Sequence, residues 1–432
     1  MKLCMIGTGY VGLVSGVCFA DMGNIVYCVD KDKNKTDLLN KGIVPIYEPG
    51  LEEILKKNYK HKRLNFTTDL KKAVLNSDII FICVGTPAKK NSNSADLKYV
   101  YKVAHELKKI IKTYKVIVTK STVPVTTGDK IEKILINLKN RKLVDIVSNP
   151  EFLREGEAIR DFLYPDRVVV GTNSQKANKI LKSLYLPIIK KNSRYFNTSR
   201  RAAELIKYAS NAFLATKITF INEIANLCEK TKIDVKDISF GIGADQRIGD
   251  RFLRAGPAYG GSCFPKDTRA LIDTSKKFGT NLSIVNNVVA SNENRKILLT
   301  KKVEKILNGK LTNKKITFLG VTFKPNTDDM RETSSMSMIK YLHKKKCKIK
   351  YHDPSGKKDE FKNLKNVEYQ ENISLACLNS DLIILHTEWN EYKLLNFKKL
   401  VKKPNFKIYD MRNLYSPKKM KKLKIKYHGI GR

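Results

Sequence analysis

A glycine-rich turn between two short apolar segments is the feature that most limits what this chain can fold into. Residues 3–6 form an apolar run, and the turn that follows reads Gly7-Thr8-Gly9-Tyr10-Val11-Gly12. Residues 11–22 have a helical pattern that Gly23-Asn24 ends, and residues 25–29 form a second apolar run. Strand, glycine turn, helix and strand in this order predict a βαβ unit, the context in which G-x-G-x-x-G binds a dinucleotide.

The glycines and the acidic residue after the second strand indicate which dinucleotide. Gly7 permits the tight turn, Gly9 lets backbone approach a pyrophosphate, and Gly12 lets helix and strand pack closely. Such a turn can also serve packing alone, but Asp30 lies where a ribose-binding carboxylate is expected. A carboxylate there repels a 2′-phosphate, so we expect NAD rather than NADP, although the lysines after Asp30 weaken the charge argument.

The rest of the chain predicts two α/β domains. Apolar runs alternate with helical stretches in the first half, which indicates a parallel sheet covered on both faces. Residues 200–231 contain no Gly or Pro and predict one long helix, suited to a bridge between domains or a dimerisation surface. A second strand-led unit starts near residue 314, and residues 378–385 repeat the pattern of residues 75–82.

We therefore predict an α/β fold with two Rossmann-like doubly wound domains, joined by a long central helix and a helical middle domain. The predicted boundaries are 1–198, 199–310 and 311–432.

Composition excludes several classes of protein. The chain has 432 residues, of which 42% are hydrophobic, so it can form real cores and is not mainly disordered. No apolar run approaches the ~18 residues that span a bilayer, and the N-terminus lacks a signal-peptide pattern, so we expect a cytoplasmic protein without membrane contact. The net charge of +41 invites a nucleic-acid interpretation. The lysines are spread along the whole chain, however, so we favour solvated faces and expect no nucleic-acid partner.

The eight cysteines point to one candidate nucleophile. They are scattered without a C-x-x-C pair, so we expect no metal site, and seven are interpreted as packing residues. Cys263 differs, because it lies in Gly260-Gly261-Ser262-Cys263-Phe264-Pro265-Lys266-Asp267. A thiol just before a helix N-terminus and beside a lysine has its thiolate favoured. A tight turn with an incidental cysteine is an equally good interpretation of these residues alone.

Other candidate residues occur as pairs at helical spacing. Lys207 and Asn211 lie four apart on the predicted long helix and share a face. Glu151 and Glu155 have the same spacing after Pro150, which can open a helix. Thr122 follows a predicted strand, at the end where α/β sheets place ligands. Surface helices carry such pairs routinely, so a solvated face is the better interpretation of either pair in isolation, and plain turn chemistry is the alternative for Thr122.

Seven motifs in order give the chain a resemblance to the UDP-glucose/GDP-mannose dehydrogenase family over nearly its whole length. They are Gly7-Thr8-Gly9-Tyr10-Val11-Gly12-Leu13, Val84-Gly85-Thr86-Pro87, Ser121-Thr122-Val123-Pro124, Asn149-Pro150-Glu151-Phe152-Leu153-Arg154-Glu155-Gly156, Lys207-Tyr208-Ala209-Ser210-Asn211, the segment 260–267, and Phe323-Lys324 with Asp328-Asp329-Met330-Arg331-Glu332.

The resemblance implies the domain roles and the reaction. The first domain would bind NAD, the second would dimerise, and the third would bind UDP. Among related substrates, the motifs are most similar to the branch that oxidises UDP-glucose, and GDP-mannose and UDP-N-acetylmannosamine are the alternatives. The implied reaction is a four-electron oxidation to UDP-glucuronate with two NAD and one water, through a thiohemiacetal and a thioester on Cys263.

The resemblance also implies roles for single residues. Lys207 and Asn211 would stabilise an oxyanion, Asp267 and Thr122 would position water or assist proton transfer, and Glu151 or Glu155 would be a further candidate base. The residues implied to hold NAD, beside Gly7, Gly9 and Gly12, are Tyr10, Val11, Asp30, Lys35, Thr86, Thr122, Glu155, Lys266 and Arg331. The residues implied to hold the sugar nucleotide are Glu151, Phe152, Leu153, Arg154, Lys207, Asn211, Phe252, Leu253, Arg254, Ala255, Gly256, Gly260 and Lys324. Arg247 would reach the substrate of a neighbouring subunit, which implies a homodimer or a higher homo-oligomer.

Overall fold

The structure is a computed structural model of the chain, and it describes residues 1–89, 92–136, 142–191 and 193–432. These residues form two compact units. The first comprises Met1–Ser210 with Arg269–Thr280, and the second comprises Asn211–Thr268 with Asn281–Arg432. Each unit contains one sheet.

The sheet of the first unit has eight strands among the described residues. They are β1 (Lys2–Ile6), β2 (Ile25–Val29), β3 (Leu64–Thr67), β4 (Ile79–Ile82), β5 (Lys115–Thr119), β6 (Val144–Ser148), β7 (Arg167–Gly171) and β8 (Arg194–Thr198). Their order in the sheet is β3-β2-β1-β4-β5-β6-β7-β8. Strands β2 and β3 lie on one side of β1, and the chain then crosses to place β4 on the other side. The carboxyl end of β1 is therefore a switch point of the kind where α/β sheets bind ligands.

The central strands β1, β4 and β5 of this sheet are nearly continuous buried runs because helices cover both faces. Leu3 and Met5 of β1 belong to one buried cluster, while Cys4 and Ile6 belong to another. The helices that provide this cover are α1 (Tyr10–Asp21), α2 (Lys33–Asn40), α3 (Leu51–Lys60), α4 (Leu70–Leu75), α5 (Lys98–Ile110), α6 (Thr127–Leu135), α7 (Ala158–Leu163), α8 (Gln175–Leu184) and α9 (Leu186–Ile189). Burial on both faces removes the polar alternation that a half-exposed sheet shows.

Long helices connect the two sheets in sequence. Helix α10 (Arg200–Thr231) begins in the first unit and continues into the second, and it has the bounds that the sequence predicted. Helix α11 (Val235–Gly243) follows, and α12 (Phe264–Lys277) begins in the second unit and ends in the first. The long helix α13 (Ser283–Ile306) was not predicted.

The second sheet is parallel throughout its paired strands and has the same kind of topology. Its strands are β9 (Lys315–Leu319), β10 (Lys348–His352), β11 (Val367–Tyr369), β12 (Leu382–Leu385), β13 (Lys407–Asp410) and β14 (Lys426–Gly429), in the order β11-β10-β9-β12-β13-β14. Its helices are α14 (Ser334–Lys344), α15 (Ile373–Cys377), α16 (Phe397–Val401) and α17 (Pro417–Lys422), with 3-10 turns at Asp359–Phe361 and Asn390–Tyr392.

The similarity between residues 75–82 and 378–385 has a structural basis. Each segment ends in the strand that pairs with the first strand of its sheet, β4 beside β1 and β12 beside β9. Asp78 and Asp381 make equivalent hydrogen bonds. Each carboxylate accepts from the backbone N–H of the first residue of the first strand in its sheet, Lys2 in β1 and Lys315 in β9. The predicted α/β class with two Rossmann-like sheets is confirmed, and the three-part division of the chain stays a prediction.

One strand of the first sheet departs from the predicted parallel arrangement. Strand β7 pairs with β6 in antiparallel fashion, through Ser148 and Gly171. Ser148 and Gly171 are the last residues of their strands, so the two strands meet at a single residue pair at one end.

Candidate active site

The glycine turn after β1 is shaped as the sequence predicted. A Cβ atom on Gly12 would lie 1.9 Å from the carbonyl oxygen of Gly7, so only glycine allows this approach of α1 to the turn. A Cβ on Gly9 would have no atom within 4 Å, so open space lies beside the turn at that residue. Tyr10 and Val11 begin α1, whose N-terminal N–H groups favour anions.

Asp30 closes this turn at the end of β2. Its Oδ2 accepts from the backbone N–H of Thr8 at 2.9 Å and from Thr8 Oγ1 at 2.7 Å. Lys35 Nζ lies 3.6 Å from the same carboxylate. Burial alone would raise the pKa of Asp30, but the bonds from Thr8 and Asp32 and the charge of Lys35 outweigh it and lower that pKa. Asp30 is therefore a fixed anion at the carboxyl end of β2, where the ribose of a dinucleotide is expected.

Two further predicted cofactor residues meet at the neighbouring strand ends. Thr86 Oγ1 donates to the carbonyl oxygen of Thr122 at 2.9 Å, which joins the segments that follow β4 and β5. The open space at Gly9, the start of α1, and Asp30 together fit NAD: the N–H groups would take the phosphates and the carboxylate a ribose hydroxyl pair.

A buried ion pair lies in the first unit. Lys207 Nζ is 3.1 Å from Glu151 Oε1, and the exposed fractions of the two side chains are only 4% and 5%. The ring of Phe152 lies beneath the same ammonium at 5.3 Å and beneath the Arg167 guanidinium at 3.8 Å. The structure thus brings together three residues predicted to act on the sugar nucleotide.

The segment around Glu151 is a loop. The prediction that Pro150 opens a helix is therefore wrong. Residues 149–157 form no helix, and one turn closes among them, where Glu157 N donates to the Arg154 carbonyl oxygen. Glu151 Oε2 instead accepts from the backbone N–H of Leu153 at 2.6 Å, and Gly156 has φ of +80°, which a helix does not allow. Glu151 and Glu155 therefore do not share a helix face, and Glu155 lies partly buried at the other end of this loop.

Arg154 belongs to the same loop, and its guanidinium pairs with a carboxylate of α7. Its guanidinium donates to both oxygens of Asp161, at 2.9 and 2.6 Å, and it also pairs with Glu157. About half of the side chain remains exposed. Its predicted contact with a sugar nucleotide stays a prediction.

Two buried ionisable groups near this pair were not predicted. Lys120 is buried beside Asn149 and Tyr185, and burial lowers its pKa to about 8. Glu204 lies one helical turn before Lys207, accepts from the backbone N–H groups of Thr126 and Gly128, and has its pKa raised to about 7 by burial. A charged residue inside or directly after an apolar run was the available signal for Lys120.

In the second unit, Cys263 is the residue directly before α12, as predicted. The other seven cysteines are buried, whereas Cys263 is half-buried, and all eight are free thiols. Ser262 Oγ lies 3.5 Å from its Sγ. The helix N-terminus favours an anion at this position.

Asp267 lies one turn into α12 and joins two other predicted residues. It is 1% exposed, its Oδ2 accepts from Asn211 Nδ2 at 2.6 Å, and its Oδ1 accepts from Lys266 Nζ at 2.5 Å. The amide of Asn211 and the carboxylate of Asp267 thus orient each other, which fixes the direction of the remaining polar atoms.

The glycines before Cys263 pack against the segment that follows β9. A Cβ on Gly260 would lie 2.7 Å from the Glu332 carbonyl oxygen, and one on Gly261 would lie 2.8 Å from the Phe323 ring. Arg331 makes a bidentate pair with Asp329, and Lys324 Nζ lies 5.6 Å from the Phe323 ring. Close packing therefore accounts for both glycines without a ligand.

The predicted substrate loop 252–256 is held from behind by two buried residues that were not predicted. Gly256 N donates to Asn222 Oδ1 at 2.9 Å, and Arg295 donates to Gly256 O from two nitrogens at 2.8 and 2.5 Å. Burial lowers the pKa of Arg295 to about 10. Within the loop, Phe252 has φ of +66°, Leu253 and Ala255 are buried, and Arg254 is exposed.

Arg247 has the most exposed side chain among the predicted site residues that form an ion pair in the described part of the chain. Its side chain is 88% exposed and forms a bidentate pair with Asp245, two residues away. The structure therefore places this guanidinium at the surface of the second unit.

These features define an α/β protein with a dinucleotide-binding turn in one unit and a cysteine at a helix start in the other. Comparison with known families agrees. Residues 1–189 match the NAD binding domain of the UDP-glucose/GDP-mannose dehydrogenase family, residues 201–294 match its central domain, and residues 317–417 match its UDP binding domain. The chain belongs to this family and is an NAD-dependent oxidoreductase, as predicted.

Similar proteins cover the whole chain. A UDP-glucose 6-dehydrogenase of Rhizobium meliloti (strain 1021) is 47% identical over 100% of both chains. The UDP-glucose 6-dehydrogenase TuaD of Bacillus subtilis (strain 168) is 43% identical over 100% of this chain and 93% of its own. The solved structure of a UDP-glucose dehydrogenase from Pyrobaculum islandicum is 34% identical, with a TM-score of 0.91 over 99% of this chain and 97% of that chain.

No helix among the described residues is both long and apolar enough to cross a bilayer.

Proposed function

We propose that this protein oxidises UDP-glucose to UDP-glucuronate, reducing two NAD⁺ and consuming one water. The observation that carries the reaction type is Cys263 at the start of α12, because an alcohol can lose two hydrides only if the aldehyde is captured by a nucleophile. The substrate is supported by relatives named UDP-glucose 6-dehydrogenase that are 40–47% identical over the full chain.

The proposed reaction proceeds in four steps. A base removes the proton of the C6 hydroxyl while the C6 hydride passes to NAD⁺, which gives an aldehyde, NADH and a proton. The Cys263 thiolate then adds to C6, and the resulting alkoxide is protonated to a thiohemiacetal. The remaining C6 hydrogen then leaves as a hydride, which a second NAD⁺ would accept, and loss of the hydroxyl proton gives a thioester on Cys263. Water attacks this thioester, the C–S bond breaks, and the carboxylate and free thiol are released.

Roles follow from the chemistry of each side chain. An ammonium at Lys207 and an amide at Asn211 supply donors for the oxyanion that forms at C6. Asp267 and Thr122 position water or carry a proton, and Glu151 or Glu155 is the further base. The Glu151–Lys207 pair supports the first assignment, since the buried carboxylate holds the Lys207 side chain in one position.

We assign the remaining predicted residues by their segment. Loops 151–154 and 252–256, Gly260 and Lys324 contact the sugar nucleotide, while Asp30, Lys35, Thr86, Lys266 and Arg331 contact NAD. We also retain the three-part division at residues 198 and 310 and a cytoplasmic location as proposals.

We propose a homodimer as the smallest working assembly. Phe213, Phe220 and Leu227 recur every seven residues on α10, and their exposed fractions are 65%, 50% and 59%. Three large apolar side chains in one row are costly to leave in water and typical of a helix that pairs with a second copy. An exposed Arg247 agrees with a residue that serves the neighbouring subunit.

The proposal is tested by supplying NAD with UDP-glucose, UDP-N-acetylmannosamine and GDP-mannose in parallel. We expect UDP-glucose to give the highest kcat/KM and two NADH for each molecule consumed. A higher kcat/KM with UDP-N-acetylmannosamine or GDP-mannose would mean that this sugar nucleotide, and not UDP-glucose, is the substrate. One NADH per UDP-glucose, with an aldehyde as product, would contradict the four-electron reaction.

A further inference from the structure

Glu48 is a buried carboxylate to which neither the predicted site nor the proposed reaction gives a role. It lies in the turn Pro45-Ile46-Tyr47-Glu48-Pro49-Gly50 that leads into α3, and it is 8% exposed. Both of its oxygens accept hydrogen bonds from groups in other segments of the first unit. A buried charge without such partners would be strongly unfavourable.

The donors to Glu48 come from two segments that are far apart in sequence. Tyr10 Oη donates to Oε2 from the first residue of α1. Gly156 N donates to the same oxygen at 2.6 Å, and Ala158 N donates to Oε1 at 2.8 Å. The carboxylate therefore joins the helix of the glycine turn to the loop that carries Glu151 and Glu155.

The backbone at Gly156 is shaped for this contact. Gly156 has φ of +80°, where a side chain would be strained, and its N–H also points to Tyr10 Oη at 2.8 Å. Burial and the neighbouring Glu48 raise the pKa of Tyr10, so its phenol keeps the proton that it donates. Ala158 begins α7, so the second oxygen also caps that helix.

We propose that Glu48 is a positioning residue that fixes loop 151–156 to the glycine turn and thereby holds the cofactor site in its binding geometry. Its effect on NAD requires only the NAD dependence of the family. Its effect on the sugar nucleotide rests on the proposed function of loop 151–154.

The chain offers a test variant and a matched control. Glu48→Gln preserves shape but leaves one acceptor oxygen where two are used, so residue 48 loses either the bonds from Tyr10 Oη and Gly156 N or the bond from Ala158 N. Asp21→Asn is the control, because Asp21 ends the same helix α1 and joins it to α3 through Asn58 and Lys57, away from the glycine turn. Both variants lose an anchoring carboxylate of the first unit.

Binding of NAD alone, measured by calorimetry, is the first readout, and it does not depend on which sugar nucleotide is oxidised. We expect Glu48→Gln to weaken NAD binding about ten- to hundredfold, because loop 151–156 is then no longer fixed to the glycine turn in one arrangement. Asp21→Asn should bind NAD as the parent does, with a comparable fall in the midpoint of urea unfolding.

Steady-state kinetics is the second readout. Glu48→Gln should raise the KM values for NAD and UDP-glucose more than it lowers kcat. Parent-like NAD binding by Glu48→Gln, or an equal loss in Asp21→Asn, would overturn the proposal. If Glu48→Gln does not fold, Glu48→Asp decides by the same measurement, because its shorter side chain keeps the charge but reaches fewer of the donors: weaker NAD binding supports the proposal and parent-like binding overturns it.

Discussion

Lys207 and Glu151 form an ion pair, with Nζ 3.1 Å from Oε1, in a position where neither side chain is more than 5% exposed. A pair this buried gains little net stability, because the two desolvation costs nearly offset the attraction. The pair fixes the position of the Lys207 ammonium beside the Phe152 ring. In the proposed reaction, a donor fixed in this way would meet the oxyanion without reorganising.

Breaking this pair on one side should be costly. Lys207→Met leaves the Glu151 carboxylate buried without its cation, and we expect the free energy of unfolding to fall by about 3–5 kcal/mol. The double variant Lys207→Met/Glu151→Gln should recover most of that stability while remaining inactive. Urea unfolding and kcat measured on both variants test this, and a single variant as stable as the parent would show that the pair is not buried in solution.

Asp30 should determine the choice between NAD and NADP. Its carboxylate is fixed by Thr8, and Asp30→Ala removes the group that repels a 2′-phosphate. We expect the KM for NAD to rise and the preference over NADP to narrow by about tenfold or more. Asp69→Ala, which removes the side-chain cap of α4 in the same unit, is the control. Equal use of both cofactors by the parent would mean that the neighbouring lysines dominate.

His386 should make the second sheet sensitive to acid. It is buried between Ser334 and Thr387, and burial, with a contribution from Arg412, lowers its pKa to about 3. The unfolded chain therefore binds this proton near pH 6.5 while the folded state does not, so stability falls as pH drops below about 6.5. The expected slope is about 1.4 kcal/mol per pH unit.

The single tryptophan makes this slope measurable. Trp389 lies 5% exposed in the core of the second sheet, so its fluorescence reports unfolding of that unit. His386→Gln should show a flatter dependence of unfolding free energy on pH between 4 and 6 than the parent. His343→Gln, which removes a histidine of α14 instead, is the control for loss of a histidine. An unchanged slope in His386→Gln would contradict the assignment.

Arg295 should influence binding of the sugar nucleotide without touching it. Its fork of two donors holds the carbonyl oxygen of Gly256 at the back of loop 252–256. Lysine keeps the charge but lacks the fork, so Arg295→Lys should raise the KM for UDP-glucose about tenfold and leave the KM for NAD nearly unchanged. A parallel rise in both constants would indicate a general loss of structure instead.

The sequence predicted the parts of the fold that depend on local patterns. The βαβ unit, the helix Arg200–Thr231 and the repeat at residues 75–82 and 378–385 follow from spacing within a few residues, and the structure contains all three. The antiparallel contact of β7 was not predictable in this way, because it depends on a single residue pair, Ser148 and Gly171, that lies outside any local pattern.

The residues of the candidate site also fall into those that local sequence patterns predict and those that they do not. Cys263 at a helix start and Asp30 at a strand end are readable from neighbouring residues. Glu48, Asn222 and Arg295 are not, because their partners lie 34 to 110 residues away and only the folded chain brings them together. The helix predicted from Pro150 was wrong for a related reason, since Glu151 Oε2 accepts from the Leu153 N–H that such a helix would use.

The thioester on Cys263 is the central claim, and intact mass spectrometry tests it most directly. The protein is incubated with UDP-glucose and NAD, and the parent is compared with Cys263→Ser and Cys263→Ala. We expect Cys263→Ser to accumulate a covalent sugar-nucleotide species with little turnover, because an oxygen ester is a poorer acyl donor than a thioester. Cys263→Ala should show no added mass and should not release UDP-glucuronate efficiently. Near-normal turnover by Cys263→Ala would contradict the account.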